Sequence, residues 1–206
     1  MSSDAAITRI RDAVLSAGGL IMTSPVMALA AAAIIYETGR PVFFRQTRIG
    51  KGGEPFTIHK FRTMRLHHDG ITVSPSHDPR VTRTGAVLRK TKIDELPQLF
   101  DVLRGKMALV GPRPEVPEWV EKWPAHLRDI VLSVRPGITD PVSIELRNEA
   151  KLLAEAPDPK AFYEFELLPR KVAGYARYVQ TRTFVSDLKI IIATLRAIVR
   201  EDDDER

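Results

Sequence analysis

Asp94 and Glu95 stand side by side in the stretch KTKIDELPQLFDVLRGKMALVGPRP (90–114), with Arg89, Lys90 and Lys92 just before them and Arg113 after. Two neighbouring carboxylates among cations suit chemistry on phosphate. One can act as nucleophile while the other holds a metal, or the two can share one Mg²⁺. Lys60 and Arg62, in the segment HKFRTM (59–64), add further cations for phosphate oxygens. The plainer account is that Asp94 caps a helix and Glu95 adds a favourable first-turn charge, as most acids in such places do.

The surrounding pattern says which elements must position these groups. Leu96, Leu99, Phe100 and Leu103 fall at i, i+3, i+4, i+7 and predict a helix with one buried face. Thr91 and Asp94 are capping types, Pro97 is tolerated in a first turn, and Gly105 is a natural stop. The acids then sit at a helix N-terminus, where the dipole keeps a carboxylate ionised and favours a nearby phosphate. Residues 107–110 predict a short strand running into the corner Gly111-Pro112-Arg113-Pro114. Upstream, 42–44 and 56–61 read as strands around a Gly50–Gly53 turn. Downstream, 115–134 and 150–178 read as mostly helical, separated by RPGITDPVSIELRNE, with a boundary at APDP (156–159). Residues 184–199 form an amphipathic helix with Leu188, Ile191, Ile192, Leu195, Ile198 and Val199 on one side, suited to core packing or to a membrane interface. Residues 66–85 read as a loop. Its His67, His68, Asp69, His77 and Asp78 match no metal-ligand spacing and read as surface residues. The tail EDDDER (201–206) reads as disordered.

The whole chain sets the setting. Its 206 residues suffice for one domain with a core, and no internal repeat is evident. Net charge is +5, so nucleic acid, lipid headgroups and phosphorylated small molecules are all admissible partners. There is no cysteine, which excludes disulfides, thiolate metal sites and a cysteine nucleophile. Residues 13–36 carry no charged side chain; as one helix they would reach roughly 36 Å, enough for a hydrocarbon core of about 30 Å. A spanning helix, a signal peptide and a re-entrant hairpin all fit that run. The hairpin reading starts from Ser24-Pro25 at its midpoint, because an interior proline removes a helix hydrogen bond. Arg9 and Arg11 precede the run, and Arg40, Arg45, Arg48 and Lys51 follow it. That places the main domain on the cytoplasmic side without separating the two ends. The basic residues between 40 and 65 also fit a solvated face beside anionic lipid.

In VFFRQTRIG (42–50), HKFRTM (59–64), LRKTKIDELPQLFDVLRGKMALVGPRP (88–114), RPGIT (135–139) and DLKII (187–191), together with the broken apolar segment, the chain resembles the bacterial sugar transferases. These are small monotopic polyprenyl-phosphate phosphoglycosyl transferases. The resemblance implies an α+β, mainly helical fold: a re-entrant membrane helix and flank (1–40), a compact catalytic domain with short strands and amphipathic interface helices (41–200), and a tail (201–206). It implies the cytoplasmic face of a bacterial inner membrane. It implies that Asp94 attacks the β-phosphate of a UDP-sugar to release UMP, and that a polyprenyl phosphate, expected to be undecaprenyl phosphate, then takes the phosphosugar. Glu95 would serve with Mg²⁺, and Lys60, Arg62, Arg89, Arg113 and Arg147 would lie near the phosphates. Two departures stand out. Many relatives carry Gly-Trp-Ala-Gln after RPGIT, where this chain has Asp140-Pro141-Val142-Ser143, and many carry an acid where this chain has Tyr175. The competing class is a non-enzymatic, membrane-tethered basic module for nucleic acid or anionic lipid. It accounts for the charge and the apolar run but not for IDELPQLF followed by GPRP, and the aromatic-basic interleaving of single-strand binders is missing.

Overall fold

The fold begins with α1 (Ser3–Thr38), which stays helical through Pro25. The computed structural model of the chain describes residues 3–65, 78–146 and 148–200. His67, His68, Asp69, His77, Arg147 and the tail 201–206 therefore lie outside the described residues. Pro25 has no N–H for the Ile21 carbonyl, and the Ser24 hydroxyl supplies the missing donor at 2.8 Å. Thr23 makes the same kind of bond to the Gly19 carbonyl at 2.7 Å. A proline can sit inside an apolar helix when a neighbouring hydroxyl satisfies the freed carbonyl. Asp12, Ser16, Ala30 and Ile34 share one face and are buried, while Val14, Ile21, Met22, Leu29 and Tyr36 are exposed. The helix is thus apolar outward and partly polar inward.

Both ends of α1 are fastened to the rest of the molecule. The Arg9 guanidinium donates to the carbonyls of Val102 (2.7 Å) and Leu103 (2.6 Å). At the other end, Glu37 accepts from the backbone N–H groups of Arg83 and Thr84. Arg62 donates to the Thr38 hydroxyl and to the carbonyls of Thr38 and Gly39.

β1 (Phe43–Ile49) and β2 (Pro55–Phe61) pair antiparallel, with Phe43 opposite Phe61 and Ile49 opposite Pro55. β1 therefore runs beyond the expected 42–44, because the partner strand gives its polar residues ladder bonds that no apolar pattern announces. α2 (Arg83–Lys90) starts inside the stretch read as loop and is capped by Thr82. A tight turn (Ile93–Glu95) follows, then α3 (Gln98–Leu103), with Gly105 at φ +74° just beyond its end. β3 (Ala108–Val110) leads through α4 (Pro117–Glu121) and α5 (Ala125–Leu132) to β4 (Gly137–Thr139), which pairs with it in parallel. β4 occupies the RPGIT stretch that reads only as a separator. α6 (Pro141–Glu145), α7 (Glu149–Glu155) and α8 (Pro159–Phe162) follow. A π turn over Tyr163–Leu167 then joins α8 to α9 (Leu168–Thr181), and α10 (Phe184–Arg200) closes the fold.

The main core gathers Trp119, Val131, Leu153, Tyr163, Leu167, Val172 and Tyr175. A second cluster joins Ala30 and Ile34 of α1 to Phe61 and Leu88. α10 is only partly packed, with Phe184, Val185, Ile192 and Leu195 exposed. Its Asp187, 1% exposed, accepts from Arg11 (3.3 Å), Arg182 (3.2 Å) and the Tyr178 hydroxyl (2.8 Å). This knot ties α1 and α9 to α10.

Candidate active site

The site is built on the turn between α2 and α3. Lys92 has φ +55°, a left-handed conformation that costs a side-chain-bearing residue some energy. The chain then turns through Ile93–Glu95, and Pro97, not Asp94, precedes α3. No side chain caps either short element. Asp94 is therefore not an N-cap, and the acids lie one turn ahead of the helix they were expected to start.

Glu95 Oε1 accepts from Lys60 Nζ at 2.8 Å and from Arg113 Nη2 at 2.6 Å. Burial alone would raise its pKa, but the charges of Arg113 and Lys60, with their hydrogen bonds, hold it well below the carboxylate range. Asp94 is in the opposite state. It is 9% exposed, and no hydrogen bond or ion pair joins its carboxyl to another described residue. Burial, then the Glu95 charge, push its pKa above the ordinary aspartate value, against Lys60, Lys92 and Arg89. The expected lowering by a helix dipole is thus overturned. A single tight turn has little macrodipole, and desolvation outweighs it.

Each cation reaches the site by its own route. Lys60 comes from β2. Arg113 comes from the corner after β3, which is set by Gly111 N–H to the Thr139 carbonyl (3.0 Å) and Gly137 N–H to the Pro112 carbonyl (2.9 Å). A Cβ on Gly137 would meet Gly111 backbone nitrogen at 2.1 Å, so the two strands approach this closely only through glycine. Arg89 donates to Thr63 Oγ1 at 2.9 Å, and its charge acts on Asp94. Arg62 is not brought to the dyad by any recorded contact; its Nη2 binds the C-terminal end of α1. Arg147 lies outside the described residues. Ser24 and Pro25 belong to α1.

The two departures converge. Asp140 is fully buried and caps α6 through Ser143 N–H at 2.9 Å. Tyr175 is 1% exposed, and its hydroxyl has no hydrogen-bond partner among the described residues. Arg113 senses Tyr175 and Asp140 as well as Glu95. Residues far apart in sequence thus act electrostatically on one cation.

Beside the dyad lies a cavity of about 540 Å³. Arg113, Glu95, Lys92 and Arg48 line it, and Leu99, Leu109, Ile138, Ile191 and Leu195 give it an apolar wall. Arg48, which sequence reasoning did not single out as a site residue, contacts Glu115 at 3.5 Å. Nothing in its spacing marks it out, because its partner follows the GPRP corner far along the chain. Among the described residues no group of three or more His, Cys, Asp or Glu could hold a metal. Asp94 and Glu95 are the adjacent carboxylates that could hold a Mg²⁺ brought with a phosphorylated ligand, whose oxygens and water would have to supply the other positions. Chemically, the arrangement offers an unpartnered carboxylate, a neighbour neutralised by two cations, and room for a phosphorylated ligand.

Residues 3–201 match the family model described as bacterial sugar transferase. The chain is 38% identical over 200 residues to a UDP-glucose:undecaprenyl-phosphate glucose-1-phosphate transferase of Caulobacter vibrioides, covering 95% of this chain and 70% of that protein. It is 34% identical to a transferase of the same description in Escherichia coli, covering 92% of this chain and 39% of that protein. It is also 34% identical to a UDP-N-acetylgalactosamine-undecaprenyl-phosphate N-acetylgalactosaminephosphotransferase of Aeromonas hydrophila, covering 94% of this chain and 44% of that protein.

Proposed function

The chain belongs to the bacterial sugar transferase family, and from that premise we propose that it transfers a phosphosugar from a UDP-sugar to a polyprenyl phosphate, releasing UMP. The polyprenyl phosphate is undecaprenyl phosphate, as in the names of the relatives. The reaction is a first membrane step in assembling a glycoconjugate. One observation carries this reading: Glu95, which lines the cavity with Arg113, is neutralised by Lys60 and Arg113, while Asp94, adjacent to it in the chain but not itself in the lining, is left without a partner among the described residues.

In the first half-reaction the ionised Asp94 carboxylate attacks the β-phosphorus of the donor. The bond from that phosphorus to the oxygen bridging it to the α-phosphate breaks, UMP leaves, and a phosphosugar stays on Asp94. In the second, an oxygen of the polyprenyl phosphate attacks the same phosphorus. Asp94 leaves as carboxylate, and the product is a polyprenyl diphosphosugar. Arg113 and Lys60 are placed to draw off negative charge as it develops on the phosphates. Asp94 and Glu95 would hold Mg²⁺, which when bound neutralises diphosphate charge. Burial makes Asp94 a better nucleophile than a solvated aspartate, since less hydration has to be removed before it attacks.

The site's membrane setting belongs to the same reading. α1 enters the cytoplasmic leaflet of the inner membrane and returns, and the catalytic domain sits on the cytoplasmic face. The fastening of Arg9 and Glu37 to one folded unit, with apolar side chains turned outward between them, supports this. A basic tethering module has no use for a partnerless buried acid beside a cavity.

The test is a half-reaction. Protein mixed with UDP-sugar and Mg²⁺, without lipid acceptor, should release UMP in an amount limited by protein concentration and leave a phosphosugar on Asp94. Asp94→Asn should form no adduct and lose activity by a factor on the order of 10³ or more. Full turnover by this variant, or an adduct mapped elsewhere, overturns the mechanism.

A further inference from the structure

The cavity is lined by two unlike sets of residues. One is the apolar wall of Leu99, Leu109, Ile138, Ile191 and Leu195. The other is a set of polar groups, joined contact to contact, that the mechanism does not use. Arg48, which shares the cavity with Arg113 and Glu95, contacts Glu115 at 3.5 Å. Glu115 accepts from the Tyr163 hydroxyl at 2.9 Å. Lys171 donates to that hydroxyl at 3.3 Å and to both carboxylate oxygens of Glu149 at 3.1 and 3.2 Å. Glu115, Tyr163, Lys171 and Glu149 all line the cavity. Tyr163 opens the π turn between α8 and α9, and such turns often sit where a side chain must be re-aimed at a ligand.

We infer that this polar set receives the sugar ring of the donor, with Glu149 reading its hydroxyl groups and Lys171 positioning Glu149. The inference rests on the phosphosugar-transfer reading above. Three observations carry it. First, the line begins at the cations expected to hold the diphosphate, and the sugar is attached directly to that diphosphate. Second, Arg48, Glu115, Lys171 and Glu149 are two cations and two anions, a balanced set that favours a neutral hydroxyl-bearing ligand over a further charge. Third, the two aromatic rings that line the cavity, Trp119 and Tyr163, are already engaged by one another and by lysines, with Lys171 4.9 Å from the Tyr163 ring centre. Trp119 and Tyr163 are 2% and 4% exposed and pack edge to face at 5.0 Å, and Lys122 lies over the Trp119 ring at 4.8 Å. Uracil would need a free ring face for stacking, whereas sugar hydroxyls need donors and acceptors. Lys171 is buried and fully engaged. Glu149, with a side chain 29% exposed against 21% for Arg48, is the most exposed member of the line.

The experiment measures UMP release and binding for wild type, Glu149→Gln and Lys171→Met with UDP-glucose, UDP-galactose and UDP-N-acetylglucosamine, and the binding of UDP alone by calorimetry. Glu149→Gln is nearly isosteric but leaves the buried Lys171 without its counter-charge, so its thermal midpoint should fall and binding is compared at a temperature where both proteins are folded. We expect it to raise KM for the preferred donor about tenfold and narrow its preference over the hydroxyl epimer by about as much, as loss of one hydroxyl contact does. UDP should bind as it does to wild type. Lys171→Met should move the same two quantities, since it releases Glu149. Parallel weakening of UDP binding would assign this set to the nucleotide and overturn the inference. Unchanged KM and unchanged donor preference in Glu149→Gln would leave the line a structural network and overturn it as well. A wild-type protein that releases UMP from no UDP-sugar would instead defeat the transfer reading itself, a result distinct from both.

Discussion

Asp94 is costly where it stands. Its raised pKa means that the folded protein disfavours the ionised form relative to the unfolded chain, so at neutral pH the charged group works against stability. Asp94→Asn removes that charge from beside Glu95 and should give a thermal midpoint at or above wild type while abolishing adduct formation. A lower midpoint would mean that the carboxylate holds the turn together. The sign of the pH dependence follows from the same shift. Attack needs the ionised form, which is complete above the folded pKa and lost as pH falls through it. The acid limb of the UMP-release rate should therefore lie above that of an ordinary aspartate near 4. A limb at or below that value would contradict the burial argument. Glu95 stays charged throughout that limb, because Arg113 and Lys60 hold its pKa low. Arg113→Lys keeps the charge but loses the planar fork, and should reduce activity by about tenfold to a hundredfold. Arg89→Lys should act in the same direction, through the Thr63 contact that places its guanidinium. Both should leave the thermal midpoint near wild type, and a matching collapse in stability would return them to a structural role.

At the scale of elements, the β3–β4 pair decides where Arg113 points. The parallel register sets Val110 opposite Thr139 and leaves no room for a side chain at Gly137. Gly137→Ala should part the strands, destabilise by about 2 kcal/mol or more, and lower the thermal midpoint by roughly 4–8 °C. Activity should fall further than stability at permissive temperature, because the corner carrying Arg113 moves with the strand. Unchanged activity in the folded variant would show that Arg113 is placed by Glu95 alone. α1 offers the matching case. Ser24 and Pro25 act as a pair, one removing a donor for the Ile21 carbonyl and the other supplying it. Pro25→Leu restores the backbone bond and should favour a straighter helix.

At the scale of the molecule, that change bears on topology. Arg9 and Glu37 both bind the folded unit, so the two ends of α1 should face the same side of a membrane. With no cysteine in the chain, single cysteines at residues 8 and 40 can be labelled from either side of sealed vesicles. Both should react from the cytoplasmic face in wild type, and Pro25→Leu should expose a fraction of residue 8 on the far side. Labelling of the two positions from opposite faces in wild type would refute the re-entrant reading. The Asp187 knot acts over the same range, joining Arg11 of α1 to Arg182 and Tyr178 beside α10.

The sequence by itself determined the local elements and the class of chemistry. Apolar spacing located α10 and the position of α3, though not its buried face: α3 buries Gln98, Asp101 and Val102 and leaves Phe100 45% exposed, because the cavity and the strands, not the leucine spacing, set its orientation. Gly105 marked the stop after α3, the uncharged run located α1, and the acids among cations pointed to phosphate. These are properties of neighbouring residues, and short-range physics suffices for them. The tertiary structure alone decided which charges meet. Lys60 and Arg113 converge on one oxygen of Glu95, Arg62 turns to the end of α1, and Asp140 and Tyr175 act on the charge of Arg113. The ionisation of the dyad was likewise invisible, and was expected with the wrong sign for Asp94. Its pKa depends on burial and on cations brought from β2 and the β3 corner, and no local pattern encodes desolvation. Pairing of β3 with β4 and the line from Glu115 to Glu149 escaped for the same reason: both are contacts between segments that meet only once the chain has packed.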